Sequence, residues 1–132
     1  MNVSTKGNTD VLDITQDVCE EIKKAKLVNG TVTIFVSGST AGVTTIEYED
    51  GLIEDLKNIF ENIAPSKNIY QHNKRWGDGN GFSHVRASIL GPELTIPVAD
   101  GKMLLGTWQQ IVLVDFDNRP RQRKIILQFM GE

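Results

Sequence analysis

Gln110-Ile111-Val112-Leu113-Val114-Asp115-Phe116 is apolar on both faces of an extended chain, with Ile111 and Leu113 on one and Val112, Val114 and Phe116 on the other. A half-exposed strand alternates apolar and polar residues, whereas a strand apolar on both sides is covered on both. This segment therefore reads as a central, covered strand. Asp117-Asn118-Arg119-Pro120 turns the chain. Arg121 to Met130 returns as a strand with Ile125, Leu127 and Phe129 on one face.

Working outward, Thr31 to Val36 is β-branched and aromatic, a strand, and Val43 to Tyr48 is another. Between them lies the small-residue loop Gly38-Ser39-Thr40-Ala41-Gly42. His84 to Leu90 reads as a strand, followed by a Gly91-Pro92 turn and a short strand over 94–98, whose Pro97 places it at an edge or a bulge. Asp100-Gly101 is a hairpin turn. Two amphipathic helices interrupt the strands. Ile14, Val18, Ile22 and Ala25 share one face of a helix over 14–27, stopped by Asn29-Gly30. Leu52, Leu56, Ile59 or Phe60, and Ile63 share a face of the second, which Asp50 caps and Pro65 ends near Ala64. Residues 1–12 supply a short strand and a turn, and 65–83 a long irregular connection in which Trp76 calls for a packing partner. The order specifies one α+β domain over 1–132. Its mostly antiparallel sheet is folded on itself in a sandwich-like way, with two main helices.

The 132 residues are 39 % hydrophobic and 23 % charged, a globular mixture. No run approaches the roughly 18 apolar residues a membrane span needs, and the first residues contain no secretory apolar core. Cys19 is the one cysteine, so a reducing cytoplasm is the expected compartment. It lies in a helical pattern, where a buried inert thiol outweighs a nucleophile. A net charge of −3 and a pI of about 5.4 argue against nucleic acid as a partner. The basic cluster Arg119-Pro120-Arg121-Gln122-Arg123-Lys124 reads as a solvated hairpin end or, more sharply, as a phosphate clamp.

Polar chemistry concentrates in Asp78-Gly79-Asn80-Gly81-Phe82-Ser83-His84-Val85-Arg86. In a strand, residues two apart share a face, so His84, Arg86 and Ser88 are expected on one surface beside Asp78 and Asn80. His84 suits general acid or base work, Arg86 suits a phosphate or carboxylate, and Asp78 would orient His84 or help hold a cation. The bland reading is that Asp78 and Asn80 cap a turn and that His84 and Arg86 lie on the surface. The 38–42 loop is either a plain turn or a phosphate cradle made of N–H groups with the Ser39 and Thr40 hydroxyls. Thr107 and Trp108, in Gly106-Thr107-Trp108-Gln109, offer a hydrogen bond and a wall, or else a bulge with a packed indole. His72 and His84 are the two histidines, and no zinc-type spacing exists. A Mg²⁺ site shared with a substrate pyrophosphate needs few protein ligands and stays open.

Asp78-Gly79-Asn80, Ser83 to Pro92, Leu94 to Val98, Leu105 to Gln110, Ser39 to Thr44 and Met130-Gly131-Glu132 together resemble the YjbQ-like family along essentially the whole chain. The resemblance implies a small α+β fold with a sheet folded on itself, assembled as a homotrimer. It also implies a weak secondary thiamine-phosphate synthase. That reaction joins hydroxymethylpyrimidine pyrophosphate to thiazole phosphate and releases pyrophosphate. The competing expectation is a non-catalytic binder of a phosphorylated small molecule or metal. On the matching positions, Asp78, Asn80 and His84 would be catalytic. Arg86, Thr107 and Trp108, with Ser39 and Thr40 of the small-residue loop, would bind substrate. The chain departs from the family at Gly38, Gly77 and Phe82, where many relatives or related sequences have histidine. His84 is then the one motif histidine left, which weakens a metal reading more than a phosphate reading.

Overall fold

The computed structural model describes residues 1–132. In chain order the elements are β1 (Asn2–Thr5), β2 (Asp10–Asp13), α1 (Thr15–Ala25), β3 (Gly30–Val36), β4 (Ala41–Ile46) and α2 (Asp50–Ile63). There follow α3 (Gln71–Trp76), α4 (Gly81–Leu90), β5 (Glu93–Ala99), β6 (Lys102–Met103), β7 (Gln110–Asp115) and β8 (Arg121–Gly131). The strands form a five-stranded sheet, β1-β8-β3-β5-β6, and a three-stranded sheet, β2-β7-β4. Every pairing is antiparallel.

The central strand behaves as its two apolar faces require. Ile111 and Leu113 enter the larger core, with Val32, Ile34 and Val36 of β3, Ile125 of β8 and the α1 face Ile14, Val18 and Ile22. Val112, Val114 and Phe116 enter a second core with Val11, Phe60 of α2 and Ala87 of α4. The three-stranded sheet is thus covered on one side by the larger sheet and α1, and on the other by α2 and α4. Phe60 and Phe116 meet edge to face with ring centroids 4.7 Å apart. The outer face of the five-stranded sheet carries Thr33 and Thr95, hydroxyl to hydroxyl, and the exposed cross-strand pair Phe35 and Ile126.

Several expectations are corrected. The segment His84 to Leu90 is not a strand but most of α4. Its buried residues Phe82, Ser83, Arg86 and Ala87 follow a helical stripe. Two of those four are polar, so the stripe is invisible to a hydrophobic count, while polar His84, Arg86 and Ser88 imitate a period of two. The connection at 65–83 contains α3 and the start of α4, giving four helices in all. The first helix is shorter than expected, because Lys26 already adopts a left-handed conformation at φ 56°. Glu49, not Asp50, caps α2: its carboxylate accepts the N–H groups of Gly51 and Leu52 at 2.8 and 2.9 Å. Trp76 does not pack within the chain and is 69 % exposed.

Replacing Phe116 by alanine is expected to cost about 3–5 kcal/mol of stability. Phe60→Ala combined with it should cost less than the sum by about 0.5–1.5 kcal/mol, because the two rings share one contact. Urea unfolding followed by far-ultraviolet circular dichroism checks both values.

Candidate functional site

Asp115 and Asp117, at the end of the central strand, have fully buried side chains. A buried carboxylate is tolerable only when its oxygens are satisfied. Asp115 Oδ2 accepts the Thr5 hydroxyl at 2.5 Å and Arg123 Nε at 2.7 Å. Its Oδ1 accepts Arg123 Nη2 at 2.8 Å and the Asp117 N–H at 3.0 Å. Asp117 Oδ2 accepts the Thr40 hydroxyl at 2.8 Å, Arg121 Nε at 3.0 Å and the Asn80 amide at 3.3 Å. Burial works against the Asp117 charge, but the bonds from Thr40, Asn80 and Arg121 outweigh it, and the carboxyl titrates below the usual aspartate value. The basic cluster is therefore divided: Arg119, Gln122 and Lys124 are exposed, as a solvated hairpin end requires, but the other two arginines are not free to form a clamp. Arg121 and Arg123 are the counter-ions of this carboxylate pair.

Asn80 links the pair to the long loop. Its amide donates to Asp117, while its side-chain oxygen accepts the Asn118 N–H at 3.1 Å and the Ser83 hydroxyl at 2.5 Å. Asp78 Oδ1 accepts the Asn80 N–H at 3.1 Å and lies 3.4 Å from His72 Nδ1. The His72 ring is stacked on His84, with centroids 4.4 Å apart and planes tilted by 38°. His72 Nδ1 is covered and has no hydrogen-bond partner.

His84 faces a cleft of about 270 Å³ with Gly38, Ser39, Ala41, Ala87, Ser88 and Pro92. The Ser39 and Thr40 N–H groups donate to no acceptor in the chain. At Gly38 a Cβ would lie 2.7 Å from Arg123 Nη1, so the guanidinium sits close against this glycine and would have to shift to admit a side chain. That nitrogen makes no hydrogen bond of its own, since the bonds of Arg123 leave from Nε and Nη2.

The structure brings together only part of the expected set. His84 and Ser39 share the cleft, with Thr40 buried just behind it on Asp117. Asp78 reaches the cleft through the His72–His84 stack, and Asn80 is buried in the loop's internal bonding. Arg86 points elsewhere, because on a helix residues two apart diverge by about 200°. Its guanidinium is buried against Ala64 O, Thr9 and Glu61. Thr107 and Trp108 precede β7 at the end where Gln110 pairs with Ile46, whereas Asp115 pairs with Ala41. Roughly 17 Å of strand separates the two ends. Sequence reasoning missed Asp115 and Asp117 and the pairing that ties Arg123 to them, and it weighed His72 only as a metal ligand. The signal for this pairing was present as two acids ending an apolar strand and alternating arginines on its return partner.

A divalent cation finds no protein-built site here. No three His, Cys, Asp or Glu side chains are grouped to hold one, the two imidazoles stack, and the oxygens of Asp115 are saturated. What the cleft lining offers is Ser39, with a free N–H and a hydroxyl, and the His84 imidazole. Burial, and then His72, hold the His84 pKa below its ordinary 6.5, against the opposing pull of Asp78 and Asp117. The native state thus favours neutral His84. Its contribution to stability is complete above pH 6.5 and is lost as pH falls through the native pKa. In an NMR titration, His84 should titrate below 6.5. His72→Gln should move the midpoint up and Asp78→Asn should move it further down.

All of residues 1–132 match the family described as "UPF0047 protein YjbQ-like". A UPF0047 protein of Archaeoglobus fulgidus is 32 % identical over 130 residues, covering 97 % of each chain. One from Mycobacterium tuberculosis is 34 % identical over 131 residues, covering 93 % of this chain and 98 % of its own. Among solved structures, a YbjQ-like protein of unknown function from Sulfolobus solfataricus superposes with a TM-score of 0.94 at 36 % identity, covering 100 % of this chain and 94 % of that one. A hypothetical protein from Aeropyrum pernix gives 0.90 at 32 %, covering 100 % and 98 %. With its full length matched, its relatives spanning archaea and bacteria, and its curled antiparallel sheets shared with solved members, this chain belongs to the UPF0047, YjbQ-like family.

Proposed function

We propose that the protein binds a phosphorylated small molecule in the cleft between the Ser39 loop and α4. We propose further that it acts there as a weak thiamine-phosphate synthase, a transferase joining hydroxymethylpyrimidine pyrophosphate to thiazole phosphate. The observation that carries the phosphate reading is the unpartnered N–H of Ser39 in the cleft, followed by the equally unpartnered N–H of Thr40, with the Arg123 guanidinium against Gly38 beside them. Backbone donors of this kind suit phosphate oxygens. They cost no reorganisation as charge grows on a departing pyrophosphate. His84, neutral near pH 7, would donate a hydrogen bond or take a proton rather than form an ion pair. Asp78 would orient it through His72. The 270 Å³ cleft falls just short of the usual size for a small-molecule site, roughly 300–1,000 Å³. A homotrimer would complete it with groups from a neighbouring subunit, for which Trp108, 71 % exposed, and Thr107 are the candidates. No helix is long and apolar enough to cross a membrane. We place the protein in the cytoplasm, where Cys19 stays a free thiol.

The alternative, a binder without turnover, draws on Gly38. The Arg123 guanidinium lies against this glycine, where the family resemblance implies an imidazole, so a reaction that used that imidazole would lack it here.

Purified protein given both phosphorylated substrates should release pyrophosphate slowly, and His84→Gln should reduce the rate about 100-fold. Thermal stabilisation by hydroxymethylpyrimidine pyrophosphate without turnover supports the binder. Neither stabilisation nor turnover rejects the site. Light scattering after size exclusion should give a trimer mass, and Trp108→Ala should lower substrate affinity without unfolding the chain.

A further inference from the structure

A second cleft, of about 260 Å³, lies on the other side of α4. It is lined by Asn8, Thr9, Lys57, Asn58, Glu61, Ser66, Phe82 and Arg86, of which only Phe82 is hydrophobic. We propose that this cleft is a second ligand site, for a tetrahedral oxyanion: free phosphate or the phosphoryl group of a small ester.

Arg86 is the first reason. A guanidinium has five N–H donors. Although its side chain is only 4 % exposed, Arg86 bonds within the chain through one contact from each nitrogen: Nε to Ala64 O at 2.9 Å, Nη1 to Thr9 Oγ1 at 3.0 Å and Nη2 to Glu61 Oε2 at 2.7 Å. Two donors remain on a buried cation that lines a cavity. One face of the guanidinium is covered by the Phe82 ring, 4.9 Å from its centroid, which fixes its plane.

The charge balance is the second reason. Glu61 is the one carboxylate in the lining, and both its oxygens are engaged, Oε1 by the Ser66 N–H and hydroxyl and Oε2 by Arg86. The Ser66 amide and then Arg86 hold its pKa below the ordinary value, against desolvation. Glu61 offsets Arg86, and exposed Lys57 leaves the cleft one positive charge in excess. Asn8 and Asn58 add neutral amides that can donate.

The third reason is conformational. Asn8 and Thr9 both adopt positive φ, at 55° and 61°. That is unfavourable for a β-branched threonine, and such outliers concentrate where a ligand or a switch gives them a use. Here the strained turn holds the Thr9 hydroxyl against Arg86 at the cleft. The cavity is too small for a nucleotide-sized ligand, and every lining residue except Phe82 is polar or charged, which favours a small polar one.

The test is a titration of the full-length, ¹⁵N-labelled chain at constant ionic strength with inorganic phosphate, glycerol phosphate or acetate. Saturable shifts of the Thr9, Asn58 and Ser66 amides with phosphate or its ester, at concentrations where acetate gives none, are expected. The relative strength of the first two separates a free anion from a phosphoryl group. Lys57→Glu, a change at an exposed position, should weaken binding at least tenfold, whereas His84→Gln should leave it unchanged. The absence of saturable shifts at these three amides, an equal response to acetate, or indifference to Lys57→Glu would overturn the proposal. Because the readout does not involve Ser39 or His84, its outcome is separate from that of the first cleft.

Discussion

The structure depends on two negative charges placed where water cannot reach them. Asp115 and Asp117 close the most buried strand of the fold, and nothing but protein groups can satisfy them. Those groups come from β1 (Thr5), the loop before β4 (Thr40), the start of α4 (Asn80) and β8 (Arg121, Arg123). Elements far apart in sequence are thereby fixed to one another by directional bonds rather than by apolar contact alone. Removing one member of such a buried pair typically costs about 3–5 kcal/mol, because its partner is left charged and dry. The polar end of the sandwich is the rigid base on which the candidate site rests.

That base also decides where α4 points. Asn80 is held to Asp117 and Asn118, and the helix that follows is bound to run along the three-stranded sheet. Its close fit shows at Gly42, where a Cβ would come within 2.7 Å of the Gly91 carbonyl. The helical rotation then separates His84 from Arg86. One faces the Ser39 loop and the other the β1–β2 turn, so a short polar motif serves two surfaces instead of one.

Much of the framework was legible from the chain alone. Ile111 and Leu113 against Val112, Val114 and Phe116 announce a strand covered twice, and the structure has a separate core on each side. The apolar spacing of α1 and α2 is equally plain. The Ser83 to Leu90 segment was not legible, because its inward face is filled by Ser83 and Arg86, whose burial rests on partners as remote as Thr9 and Glu61. Burial of a polar residue is a tertiary fact that local periodicity does not carry. The site was half legible for the same reason. His84 stands out as a reactive residue in a polar stretch and Ser39 as part of a small-residue loop, whereas His72 gains meaning only when α3 folds back to stack it on His84. Asp115 and Asp117 gain theirs only with the arginines of β8 beside them.

Both tryptophans lie on the surface, Trp76 at 69 % and Trp108 at 71 % exposure. Their indoles are largely exposed in the single folded chain, so neither ring's emission depends on packing in the core. Loss of the core would change its colour little, while anything that settles over either ring would shift it to the blue. Intrinsic fluorescence, ordinarily a report on the interior of a protein, is for this molecule a report on what touches its outside.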